Sequence, residues 1–196
     1  MKKYFTKFIY LVFAIVLVVS LTGCGNTENN STSSDNATTK NNEEVVSPVV
    51  PEEGYSLFDE DGVSFVYNDK WTVQDGASLS VAAFFVAEDG ISNFNYVSEK
   101  LPLNYSIEQY LNLSKAQLED AFGTLNYTTD SARKFGPHDG HEVVYVATIE
   151  GTTLTFKQSF IIKDKVAYVF TYTAMNSGFD TYLPVVDTML DSIRIK

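Results

Sequence analysis

Three segments near the end of the chain, HEVVYVATIE, TLTFKQSFII and VAYVFTYTAM, are long, rich in β-branched and aromatic residues, and almost contiguous. Only a turn at Gly151 and another at Lys163-Asp164-Lys165 part them. Connections this short cannot carry a crossover, so these consecutive strands must be antiparallel. Earlier segments follow the same rule. YSLF and VSFVY flank Asp59-Glu60-Asp61-Gly62, and SLSVAAFFV runs into Asp89-Gly90 before FNYVSEKL. Asp-Gly between alternating strands is a strong hairpin signal.

Two helical patterns interrupt this series. Ser106-Ile107-Glu108-Gln109 has the form of a capping box, in which the serine hydroxyl takes a free N–H and the glutamine reaches back. Ile107, Tyr110, Leu111, Leu118, Ala121 and Phe122 then recur on one face. A second stripe follows Ser177: Phe179, Tyr182, Leu183, Val186, Met189, Leu190 and Ile193. Pro184 falls inside it, which predicts a break or restart of the helix there. Both stripes read as core-packing faces.

The N-terminus has a different character. Lys2, Lys3 and Lys7 precede an apolar run from Phe8 to Val19, and Leu21-Thr22-Gly23-Cys24 follows. This looks like a bacterial lipoprotein signal with its lipobox. The resemblance implies cleavage after residue 23 and a diacylglyceryl thioether on Cys24, because only a thiol can carry that bond. The apolar run is short for a span, which takes about 20 residues. Cys24 is the only cysteine, so neither a disulfide nor a redox pair is available. Residues 24–53 are rich in Asn, Ser and Thr and read as a disordered tether, leaving 54–196 as one folded domain. The expected location is the outer face of a bacterial cytoplasmic membrane, with the membrane reached through the N-terminal lipid.

Charge removes one class of partner. Without the three leader lysines, 11 basic residues face 25 acidic ones. Nucleic acid attracts clustered Lys and Arg, so it is excluded as an expected partner.

From Tyr55 to Lys196 the order of elements resembles the PsbP-like family. VSFVYNDKW resembles that family's entry of a hydrophobic run, Tyr-Pro-x-x-Trp, although Asn68 and Asp69 stand where proline is usual. YTAMNSGFDTYLPVVDTMLDSIRI resembles its closing pattern, with Ile193 where phenylalanine is favoured. The resemblance implies an α+β domain, an α/β/α sandwich around an antiparallel sheet. It also implies a role in binding or assembling other proteins rather than in catalysis, with an envelope protein as the partner and no cofactor.

One stretch invites a chemical reading. FGPHDGHEVVY holds both histidines, His138 and His141, beside Asp139 and Glu142. Imidazole and carboxylate together suit zinc or a similar ion, which makes a metal- or small-ligand-binding lipoprotein the alternative function. Against it, Pro137 to Gly140 has favoured turn composition, so the preferred expectation is a hairpin corner between a strand ending at Phe135 and one beginning at His141. Trp71 is expected at the rim of the core, and Asp59 to Gly62 lacks the spacing of a calcium loop. Tyr55, Tyr67, Tyr96, Tyr105 and Tyr127 are further aromatic candidates for a contact surface.

Overall fold

The computed structural model describes residues 48–76 and 81–196. The leader, Leu21, Thr22, Gly23, Cys24 and the tether up to residue 47 lie outside the described residues.

Hairpins assemble the domain. β1 (Tyr55–Glu60) and β2 (Val63–Asn68) are joined by Asp61 and Gly62, at φ +50° and +79°. Positive φ at both central residues is the type I′ turn that matches the right-handed twist of the strands. β3 (Thr72–Gln74), β4 (Ala83–Val86) and β5 (Asn93–Lys100) follow. Asp89 shapes the β4–β5 connection by accepting from the N–H groups of Ile91 and Ser92 and from the Ser92 hydroxyl.

Helix α1 (Ile107–Phe122) begins at the expected capping box. Gln109 N–H donates to Ser106 Oγ at 3.2 Å, and Ser106 N–H donates to the Gln109 side chain at 2.9 Å. Tyr110, Leu111 and Leu118 are buried as the periodicity predicts, whereas Ala121 is exposed. The long meander then runs β6 (Tyr127–Phe135), β7 (His138–Ile149), β8 (Thr152–Lys163) and β9 (Val166–Met175). Helix α2 (Phe179–Asp191) and β10 (Arg194–Ile195) close the chain.

α2 passes through Pro184 without a break, contrary to the expectation from sequence. The proline removes one N–H, whose partner would have been the carbonyl of Asp180. Both residues lie on the exposed side, where water can take that carbonyl. Meanwhile Val186, Met189 and Leu190 are fully buried and hold the helix in place.

Seven strands form one antiparallel sheet in the order β3-β4-β5-β9-β8-β7-β6, and β1-β2-β10 form a smaller one. On one face of the large sheet, α2 and the small sheet enclose a core around Phe65. Its ring meets those of Phe85, Phe94 and Phe170 edge-on, with centroids 5.6–6.0 Å apart. Each such pair adds about 0.5–1.5 kcal/mol beyond simple burial. Trp71 is buried in the same core, edge-on to Tyr182. On the opposite face, α1 packs over β7 and β8 through Tyr110, Leu111 and Leu118. The architecture is the expected α/β/α sandwich around an antiparallel sheet.

Candidate functional site

The β6–β7 hairpin contains every residue that sequence reasoning proposed for metal chemistry. Its turn is only Gly136-Pro137, tighter and earlier than the Pro137–Gly140 corner expected, and β7 already begins at His138. Gly136 adopts φ +55°, and a side chain there would collide with the Ile193 carbonyl and Arg194. Gly140 is a strand residue pressed against the Phe160 backbone and the Phe135 ring. Close approach, not turn geometry, therefore explains the second glycine.

Because His138 to Glu142 lie in a strand, successive side chains point to opposite faces. His138 and Glu142 face α2, while Asp139 and His141 face α1. His138 Nε2 accepts a 3.0 Å hydrogen bond from the Ile195 backbone N–H, which ties the C-terminal strand to the hairpin and requires an unprotonated Nε2. Among the described residues, no group of three or more His, Cys, Asp or Glu side chains is arranged to hold a metal ion.

On the α2 face, Glu142 enters a network that the sequence did not announce. Arg133 Nη1 lies 2.6 Å from Glu142 Oε2 and 2.9 Å from Asp187 Oδ1, while its Nη2 lies 2.8 Å from Asp191. Lys157 Nζ, almost fully buried, lies 3.0 Å from Glu142 and 2.9 Å from Asp187. The five groups link β6, β7 and β8 to α2. Burial alone would lower the Arg133 pKa, but the hydrogen bonds it donates to Asp191, Asp187 and Glu142 raise it above its ordinary value. Burial pushes Asp187 upward, yet Lys157 and Arg133 outweigh that and hold its carboxyl below the usual range. Every charge has a partner, so this is a clamp. The hint available from sequence was Lys157, a charged residue in the middle of a long strand flanked on both sides by strands.

On the α1 face, His141 Nε2 lies 2.8 Å from Asp130 Oδ1, and Lys115 of α1 pairs with the same carboxylate. The Lys115 bond is the main cause that lowers the Asp130 pKa. Lys115 also lies 4.9 Å above the Tyr127 ring. The Tyr127 hydroxyl is buried without a hydrogen-bond partner among the described residues, and burial pushes its pKa up to about 12. Toward the hairpin tip, an open groove of about 630 Å³ lies between the start of α1 and the sheet, lined by Tyr105, Ile107, Ala132, Lys134, Asp139 and Ile162 among others. A second open groove of about 490 Å³ shares Tyr105 and Ile162 and reaches Asp164 and Lys165. Of the other aromatic candidates, Tyr96 is fully buried and cannot form a contact surface, while Tyr67 is partly buried against the α2-side core.

No protein-family model matches this sequence, and no curated protein is significantly similar to it. Solved structures do share its fold. The cyanobacterial PsbP protein (CyanoP) of Synechocystis sp. PCC 6803 matches with a TM-score of 0.58 at 15% identity, over 77% of this chain and 98% of its own. LpqN of Mycobacterium tuberculosis, described as involved in cell envelope biogenesis, matches with a TM-score of 0.55 at 13% identity, over 72% of this chain and 90% of its own. The Saccharomyces cerevisiae Ran-binding protein Mog1p gives 0.51 at 8% identity, over 72% and 95% respectively. The chain therefore has the PsbP-like fold. Among the described residues, no helix is long and apolar enough to cross a membrane.

Proposed function

We propose that this chain is a non-catalytic binding or assembly module of the bacterial envelope, held to the membrane by lipid at Cys24, which docks a partner protein along the edge of β6. The observation that carries this reading is the sheet edge itself. β6 is nine residues long and ends the large sheet, with exposed Thr128, Asp130, Ala132 and Lys134 beside the groove under Tyr105. An edge strand leaves a row of backbone N–H and C=O groups on which a partner strand can pair. The opposite edge, β3, is only three residues long and offers much less. LpqN and Mog1p support the reading by analogy, since the first is described in terms of envelope biogenesis and the second as Ran-binding.

The test places a photo-crosslinking amino acid at Ala132 or Thr128 in the full chain in its membrane, with Thr181 on α2 as control. A single protein crosslinked from both β6 positions but not from Thr181 is expected. Crosslinks indifferent to position sink the docking surface. In the same cells, Cys24→Ala should accumulate as an unprocessed, lipid-free precursor, and normal maturation would remove the tether from the proposal.

A further inference from the structure

Among the described residues, three hairpins turn through two residues that both have positive φ: Asp61-Gly62, Glu150-Gly151 and Asp164-Lys165. Each begins with an acidic residue, and in two of them glycine follows. The second position of such a turn lies in the left-handed region, where a Cβ crowds the backbone and glycine is at ease. In the β8–β9 turn that position belongs to Lys165, at φ +61°. The backbone gives no reason for a lysine there. The Leu101 N–H donates to the Lys165 carbonyl at 2.8 Å, a bond that glycine would accept equally well. The Lys165 side chain is exposed and makes no ion pair among the described residues.

Lys165 lines the open groove of about 490 Å³, together with Asn104, Tyr105, Ile162 and Asp164. Tyr105 and Ile162 also line the larger groove beside Ala132 and Lys134 of β6, so the two grooves share a wall. Leu103, next to Asn104 in the chain, is 63% exposed. At the larger groove the lysine is already matched, since Lys134 lies 2.8 Å from Asp139. Asp164 makes no ion pair with Lys165, and part of its field falls on Tyr168, which belongs to the α2-side core; burial first and then Asp164 raise the Tyr168 pKa. An unmatched cation therefore stands at the end of a surface that begins at the β6 edge.

We propose that Lys165 recognises the partner: the extended segment that pairs with β6 continues past Tyr105, where one of its acidic side chains meets the Lys165 ammonium and apolar neighbours lie on Tyr105 and Ile162. This rests on the docking at β6 and adds the chemistry of what docks. The whole chain has a formal net charge of −11, so an acidic side chain is repelled over most of the surface. A single unmatched cation beside an apolar groove then fixes where that side chain can sit, which sets the register of the segment. Lysine in a left-handed turn position costs the fold stability, and a role in binding accounts for that cost.

The test places a photo-crosslinking amino acid at Asn104 and, in parallel, at Ala132, in the full chain in its membrane. Asn104 should capture the same protein as Ala132. In Lys165→Gly the yield from Asn104, relative to that from Ala132, should fall about two- to fivefold, the range of an exposed ion pair, and Lys165→Arg should restore it. Added salt should lower the wild-type yield at Asn104 in isolated membranes and leave that of Lys165→Gly unchanged. Lys165→Gly should also unfold at a higher urea concentration than the wild type, because it relieves the turn. Lys165→Met, which removes the charge and keeps a long side chain, replaces it should Lys165→Gly not fold. A protein captured from Ala132 while Asn104 captures nothing, or only lipid, overturns this inference and leaves docking at β6 intact. So does a yield at Asn104 indifferent to the charge at residue 165, or a Lys165→Gly that unfolds earlier than the wild type. Silence at both positions removes the docking at β6 and this inference with it.

Discussion

Glu142 shows how one position can be misjudged and then explained. Beside two histidines it reads as a ligand, yet in the fold it is the shared anion of Arg133 and Lys157. Removing one partner from a buried charge network leaves the others uncompensated, which typically costs about 3–5 kcal/mol. Glu142→Ala should therefore lose stability of that order in urea denaturation at neutral pH. Acid should act on the same network through Asp187. Its folded pKa is lowered, so its contribution is complete above the unfolded carboxylate value of about 4 and is lost as pH falls through the folded value. Unfolding measured from pH 6 to pH 2 should show this decline, and it should be shallower in Asp187→Asn. An equal slope in both proteins would assign the acid sensitivity to other carboxylates.

At the level of elements, local signals succeeded where one short stretch contained the whole cause. The capping box at Ser106 formed as written, and so did the Asp61-Gly62 hairpin. They failed where packing competed with local preference. Pro184 should end a helix, but the buried stripe of Val186, Met189 and Leu190 keeps α2 continuous. Pro184→Ala should therefore raise stability by about 1–2 kcal/mol. The interior-proline penalty of about 3 kcal/mol, less the roughly 0.4–1 kcal/mol by which proline restrains the unfolded chain, leaves about 2–2.6 kcal/mol, and water on the exposed Asp180 carbonyl lowers it further. A loss of stability on this substitution would mean that the proline fixes the start of α2. The hairpin corner failed for a similar reason. Pro137-x-Asp-Gly favours a turn, but Gly140 is needed in the strand, where no Cβ fits against Phe160 and Phe135.

Over the whole molecule, two apolar cores share one sheet, and β8 and β9 lie between them at its centre. Local opening costs most where burial on both faces is continuous. Amide hydrogen exchange should be slowest in the middle of β8 and β9 and fastest in β3 and β6 at the two edges. Uniform exchange across all seven strands would contradict this layered arrangement. Protection of β6 alone on adding membrane extract would support the docking proposed at that edge.

Periodicity and turn chemistry alone determined that hairpin-joined antiparallel strands make up most of the domain and where the two helices of the described residues lie, while the α+β sandwich was what the PsbP-like resemblance implied. The first two are short-range properties: hydrogen-bond rings, φ restrictions and face alternation act within a few residues. Only the tertiary structure decided that β5 pairs with β9 across the α1 and β6–β8 segments, and that β1, β2 and β10 form a sheet of their own. It also decided that His138 and His141 face opposite ways and that Arg133 meets Asp187, 54 residues away. Each of these depends on contacts between residues far apart in the chain, which packing free energy selects and no local pattern records.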